Sequence, residues 1–146
     1  MARVKIAFPD APPIFETGIA VRISDVNYGG HVGHDAFLSI MHEARMQWLA
    51  SHGATELDVM GAALIMADAA LVYKGEAFYG DVIDAAIYAG DTTLSGFELL
   101  YRFTKMHDGS QKLLLEGKTG MLCFDYAARK IQEMPEALHA LLAQAG

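Results

Sequence analysis

Apolar residues first fall on alternate positions, Ile19, Val21 and Ile23, which predicts a strand over 17–24 with one face buried. From His34 the period lengthens. Phe37, Ile40, Met41, Ala44 and Trp48 recur every three to four residues and predict a helix over 34–51 with one apolar stripe. Leu38, Met46 and Leu49 fall off that stripe, so the helix is apolar on more than one side, as expected where a sheet wraps it. Gly53 stands just past its end, where glycine terminates helices. Four strand-like runs follow, over 62–77, 81–89, 95–106 and 112–125. In the third, Phe97, Leu99, Tyr101 and Phe103 alternate with Glu98 and Arg102. In the fourth, Leu113, Leu115, Gly117, Thr119, Met121 and Cys123 alternate with Glu116 and Lys118. His107-Asp108-Gly109-Ser110 between these two has the chemistry of a hairpin turn. Pro135 opens a short helix expected to reach Gln144, because proline suits the first helical turn. Residues 1–14, with Pro9, Pro12 and Pro13, read as an extended arm packed at an edge. The pattern predicts a single α+β domain over 1–146, one long helix with about five mostly antiparallel strands.

Polar residues crowd where the first strand gives way to the helix. Val21 to Asp25 read as the strand's end, and a glycine-containing turn follows with Asn27, Tyr28, Gly29, Gly30, His31, His34 and Asp35. A helix start offers backbone N–H groups without intrahelical partners and a partial positive charge. Such donors stabilise a carbonyl oxygen that gains negative charge. Gly29 and Gly30 let a substrate approach the backbone, Asn27 offers an amide donor, and Asp25 and His31 are able to move protons or orient water. Turn formation alone also accounts for Asp25 and Asn27, and His31 also suits a helix cap. His31 and His34 are spaced H-x-x-H beside Asp35, but no further ligand set with metal-like spacing accompanies them, and no metal is expected. Glu43 lies at the rim of the apolar stripe near Ala36 and Gln47, where a carboxylate needs a partner or a purpose. Arg45 reads as a solvated or salt-bridged surface residue.

Composition narrows the partners. The 146-residue chain is 53% hydrophobic, enough for a core and too much for disorder. Its net charge of −7, without any Lys/Arg cluster, argues against nucleic acid. No run approaches the length of a membrane span, and no signal-peptide pattern opens the chain. Cys123 is the only cysteine, which excludes an internal disulfide and fits a reducing cytoplasm. It sits in an apolar strand with no basic neighbour in sequence and reads as a small core residue.

The pattern D-x-[DN]-x-x-G-H-V, here Asp25, Asn27, Gly30, His31 and Val32, is followed by Phe37 and by Glu43-Ala44-Arg45. It resembles the hot-dog-fold acyl-CoA thioesterases of the 4-hydroxybenzoyl-CoA thioesterase-like superfamily. Tyr73-Lys74-Gly75-Glu76-Ala77-Phe78-Tyr79-Gly80-Asp81 is similar to that family's second strand and the turn after it. The resemblance implies a hot-dog fold, an antiparallel sheet curled around one central helix. It also implies a homodimer or homotetramer with sheets joined edge to edge and active sites at the interface. The activity implied is hydrolysis of an acyl-CoA or acyl-carrier-protein thioester, without a cofactor. Asp25, Asn27, His31 and Glu43 are the implied catalytic residues, with water handled by Glu43 or Asp25. Tyr28, Gly29, Gly30, His34 and Phe37 are implied to bind substrate. The 4-hydroxybenzoyl-CoA type carries Asp where this chain has Asn27, and many relatives carry two Asn residues where Gly33 and His34 stand. Two other readings stay open: an (R)-specific enoyl-CoA hydratase, whose G-D-x-N-P-x-H pattern resembles Asp25, Asn27 and His31, and a non-catalytic acyl-binding module.

Overall fold

The computed structural model describes residues 3–143. Its elements are β1 (Phe15–Ala20), a 3-10 turn (Ile23–Asp25), α1 (His34–Ser51), β2 (Ala63–Tyr73), β3 (Val82–Thr92), β4 (Gly96–His107), β5 (Ser110–Asp125), β6 (Lys130–Ile131) and α2 (Glu136–Leu142). The sheet runs β1-β3-β4-β5-β2, all pairings antiparallel, with β6 added to the end of β5. One helix against one antiparallel sheet is the hot-dog arrangement, with six strands rather than five.

The helix forms where the periodicity predicts it. Phe37, Ile40, Met41, Ala44, Trp48 and Leu49 are buried, while Leu38 stays partly exposed. They pack on the inner face of the sheet, against Ile83, Ala85, Ile87, Leu99, Tyr101, Phe103, Leu115, Met121 and Cys123. Helix and sheet approach closely at Gly117: a Cβ there would stand 2.9 Å from Met41 Cε. The β4–β5 hairpin closes through Asp108 (φ 50°) and Gly109 (φ 78°), the two positive-φ positions of a type I′ turn. Gly53 ends α1 with φ 70°.

Four expectations change. Ile23–Asp25 do not extend the first strand but turn into a single 3-10 turn, because Asp25 accepts the Arg22 N–H and closes the backbone on itself. The arm does not pack at an edge. It lies over the outer sheet face, where the Phe8 ring meets Tyr88 edge-on at 5.2 Å and the Arg102 guanidinium sits 4.0 Å from its centre. Strand β2 stops at Tyr73, since 74–80 leave the ladder to run past the start of α1, where Val32 N–H bonds the Ala77 carbonyl. Arg45 is buried rather than at the surface. Its Nε donates to Glu56 Oε2 at 2.9 Å and its Nη1 to the Tyr101 hydroxyl at 3.0 Å, which in turn lies 2.9 Å from Thr119 Oγ1. The expected C-terminal end of α2 at Gln144 lies outside the described residues.

Three carboxylates are held below their ordinary range. Burial alone would raise Glu56, but the hydrogen bonds and charges of Arg45 and His42 outweigh it. Burial likewise opposes the lowering of Asp81, which Lys105 and the Phe78 N–H impose. For Glu98 the Lys118 hydrogen bond leads. A carboxylate whose folded pKa is depressed stabilises the fold above its unfolded pKa, and that stability is lost as pH falls through the folded value. Urea midpoints are therefore expected to fall steadily once the pH drops below the ordinary carboxylate range. Glu56→Gln should flatten that fall, and an unchanged acid slope in this variant would count against the Arg45–Glu56 pair as its source.

Candidate active site

The junction between β1 and α1 is a closed turn built by local hydrogen bonds. Val26 and Val32 pair across it, Asn27 N–H donates to the His31 carbonyl at 2.9 Å, and Gly30 N–H donates to the Asn27 carbonyl at 3.0 Å. Gly30 takes φ 88°, a conformation that favours glycine. Tyr28 stands fully exposed at the tip. The turn is anchored to the neighbouring loop by a bridge between His31 and Phe78.

Asn27 has a fixed orientation. Its Oδ1 accepts the Gly29 N–H at 2.9 Å, which leaves Nδ2 as a free donor on the other side of the amide. That Nδ2 faces the start of the helix, 3.9 Å from the point where a Cβ on Gly33 would stand. Turn formation and donor placement are therefore the same event. His31 joins Asn27 on the turn side: Asn27 Oδ1 and His31 Nε2 lie 3.2 and 3.7 Å from the Cβ position of Gly29.

The helix start is uncapped. Gly33 is the N-cap residue and supplies no side-chain bond. Its φ of −73° would suit any residue, and the glycine gives room to the Asp35 carboxylate, whose Oδ1 would stand 2.9 Å from a Cβ here. Among the described residues, the N–H groups of His34, Asp35 and Ala36 have no acceptor, and Phe37 N–H is the first to bond back, to the Gly33 carbonyl. Three free donors and the positive end of the macrodipole thus stand at the helix start, with the Asn27 amide beside them.

Aromatic side chains flank the helix start. The His34 ring meets Tyr73 edge-on at 4.9 Å, and the Tyr73 hydroxyl donates to the His34 carbonyl at 3.0 Å. Burial first, and then the charge of Asp35, push the Tyr73 phenol up from its ordinary value. Phe37 lies behind, 5.9 Å from Tyr73 and 6.5 Å from Phe103, and is buried. Tyr73 and Gly33 carry no expected role at the site, and Asp35 is expected only as a member of the polar cluster. The signal for Gly33 is a glycine at a position where Ser, Thr, Asp or Asn would cap the helix.

Asp25 and Glu43 are placed elsewhere. Both line a groove of about 210 Å³ between β1 and α1, with Arg22, Ser39, Ile40 and Gln47. The buried Asp25 accepts the Arg22 N–H at 2.8 Å and its guanidinium at 3.3 Å, and its carbonyl receives the Gly33 N–H. Glu43 accepts from Gln47 Nε2 at 2.8 Å, and Gln47 accepts from Thr17. Asn27, His31 and His34 do not line this groove.

The comparisons agree with the architecture. The chain matches the model of the thioesterase-like superfamily over residues 21–142. No match is found among curated proteins. Among solved structures, a 1,4-dihydroxy-2-naphthoyl-CoA thioesterase from Synechocystis is similar at 21% identity and a TM-score of 0.77, covering 88% of this chain and 94% of its own. A 4-hydroxybenzoyl-CoA thioesterase mutant in complex with 4-hydroxybenzoyl-CoA is similar at 14% identity and 0.77, covering 88% and 98%. A gentisyl-coenzyme A thioesterase is similar at 15% and 0.75, covering 88% and 100%. At these identities the likenesses show the shared fold. The family match is of another kind, because it takes in the turn, the helix and the sheet together: this chain belongs to the thioesterase-like superfamily.

Proposed function

We propose that the chain hydrolyses an acyl-CoA thioester. The observation that carries this reading is the uncapped start of α1, with three free N–H donors and the Asn27 amide beside it. A thioester oxygen placed there gains charge during attack by water and is stabilised by donors already in position. The family and the thioesterases among its structural neighbours support the same reaction. His31, beside Asn27, orients the turn and the incoming substrate. Gly29, Gly30 and Tyr28 border the approach, and His34, Tyr73 and Phe37 border the acyl group. Aromatic acyl-CoAs belong first among the substrates to test, given that aromatic edge and the acyl groups of the three neighbours. The lone buried cysteine suits a reducing cytoplasm.

The test is release of free thiol across aromatic, short and long acyl-CoAs, with acyl carrier protein substrates alongside. Thiol release supports the reading. Loss of enoyl absorbance without thiol would replace it with a hydratase, and binding without turnover would replace it with an acyl-binding module.

We also infer self-association. Strand β2 pairs only with β5 and leaves an eleven-residue outer edge, with Met66 and Tyr73 exposed along it. Such an edge is a template for pairing with another strand. A second copy on this edge would come up beside Tyr73 and therefore beside the site. Light scattering at micromolar concentration is expected to give at least a dimer, and a monomer would overturn this inference.

A further inference from the structure

Of the run Tyr73 to Asp81, the site described above uses only Tyr73 and the bridge at Phe78. The end of that run meets the Asn27 turn on both sides. On the entry side, Val21 N–H donates to the Asp81 carbonyl at 2.9 Å. On the exit side, Val32 N–H donates to the Ala77 carbonyl at 2.8 Å, and His31 pairs with Phe78. Val21, Val32 and Ala77 are buried, which shields these bonds from water. Among the described residues, the other hydrogen bonds of 22–31 close within the turn itself. Those bonds give the turn its shape. Its hydrogen-bonded attachment to the rest of the fold comes from 77–81.

That short segment is itself held by two side chains. Gly80, at φ 92°, lets 78–81 close, with Asp81 N–H donating to the Phe78 carbonyl at 3.0 Å. The Asp81 carboxylate reaches back over the turn. Its Oδ2 accepts the Phe78 N–H at 2.9 Å and the Lys105 ammonium at 2.8 Å. Lys105 comes from β4, the middle strand of the sheet, and its side chain is only 10% exposed. The same ammonium stands 4.9 Å from the centre of the Phe78 ring. One chain of contacts thus runs from the centre of the sheet through Lys105, Asp81 and Phe78 to both ends of the turn that carries Asn27 and His31.

We propose that Asp81 and Lys105 are positioning residues of the site: the pair clamps 77–81 and thereby sets where the Asn27 turn and the first N–H groups of α1 stand. This rests on the thioesterase reading above. Neither side chain has to touch substrate. Donors stabilise a developing oxyanion only when they are aimed at it, and a misplacement of about 1 Å costs on the order of a hundredfold in rate.

An ion pair that served stability alone would move the unfolding midpoint and leave the rate per folded molecule unchanged. The test combines steady-state kinetics, well below each variant's unfolding temperature, with amide hydrogen exchange. Asp81→Asn keeps an acceptor for the Phe78 N–H but leaves the Lys105 charge without its partner. Lys105→Met keeps the apolar stem and removes the charge. With an acyl-CoA that the wild type cleaves, both are expected to lower kcat about ten- to a hundredfold with KM changed little. Exchange should quicken at Val21 and Val32 and stay unchanged in the middle of β4 and β5. Lys105→Arg should recover most of the rate. Should Lys105→Met not fold, the nearly isosteric Asp81→Asn decides. A kcat within about twofold of wild type in folded Asp81→Asn would overturn the assignment. Exchange that is unchanged at Val21 and Val32, or that quickens evenly across the sheet, would overturn it as well. A wild type that releases no thiol from any acyl-CoA overturns the thioesterase reading, and the exchange measurement then decides by itself whether the pair clamps the turn.

Discussion

Asn27→Ala is expected to lower kcat/KM for thioester hydrolysis roughly ten- to a thousand-fold, the range for a lost positioning or oxyanion donor. The side chain does two things at once. Its Oδ1 holds the Gly29 N–H, and its Nδ2 is thereby turned toward the helix start. Alanine removes both. Asn27→Asp separates them, because one carboxylate oxygen still accepts from Gly29 while the other replaces the donor with negative charge. That charge would stand near Asp35 and repel it. Aspartate is therefore expected to be as harmful as alanine to turnover, yet closer to wild type in stability. Steady-state kinetics with a thiol readout, together with urea unfolding of each variant, checks both halves. A gain in hydrolysis by Asn27→Asp would show that the site is built for a carboxylate at that position. No change in either variant would leave Asn27 as a turn former.

Arg45→Ala is expected to destabilise the fold by about 3–5 kcal/mol, the range for breaking a buried ion pair by removing one partner. Its guanidinium bonds Glu56 and the Tyr101 hydroxyl, and the side chain is only 6% exposed. Tyr101 is fully buried, so its hydroxyl would keep Thr119 alone. Glu56 retains some contact with solvent and with His42, which sets the loss toward the lower end of the range. The pair also ties the loop after α1 to the helix, because the Glu56 carbonyl accepts the Leu64 N–H at the head of β2. Urea unfolding monitored by circular dichroism measures the cost. A loss under about 1 kcal/mol would mean that water replaces the guanidinium without penalty, as at exposed pairs. A double-mutant cycle with Glu56→Gln isolates the share carried by the pair.

The two residues differ in how far the sequence announces them. Asn27 follows a strand and precedes two glycines, so its place in a turn is written in its neighbours. The direction of its amide is not, because that depends on which atom Gly29 occupies. Arg45 stands in a helix with apolar neighbours on several sides, and nothing local says that it turns inward. Its partners are eleven and fifty-six residues away, Glu56 in the loop after α1 and Tyr101 on β4, and they come near only as that loop folds back and β4 packs beneath the helix. Asp35 and Gly33 are legible as types but not as a pair. A glycine at a helix start looks like a neutral break until its neighbours show what occupies the space beside it.

By itself the sequence determined the elements whose cause is local. Periodicity set α1 over 34–51, alternation set the strands, and Asp108-Gly109 set the hairpin, because backbone preference and burial of one face act over a few residues. The run from Asn27 to His31 likewise closed as a turn ahead of α1, because its bonds are local. The tertiary structure decided which side of α1 each polar residue faces. Asp25 and Glu43 were sent to the β1 groove, while Tyr73, from the far end of β2, was brought to the helix start where Asn27 and Asp35 stand. The reason is physical: β2 and β1 lie on opposite edges of the sheet, so residues close in sequence at the junction face different edges. Contacts across that separation depend on how the sheet curls around the helix, a property of the whole packed core and not of any single stretch.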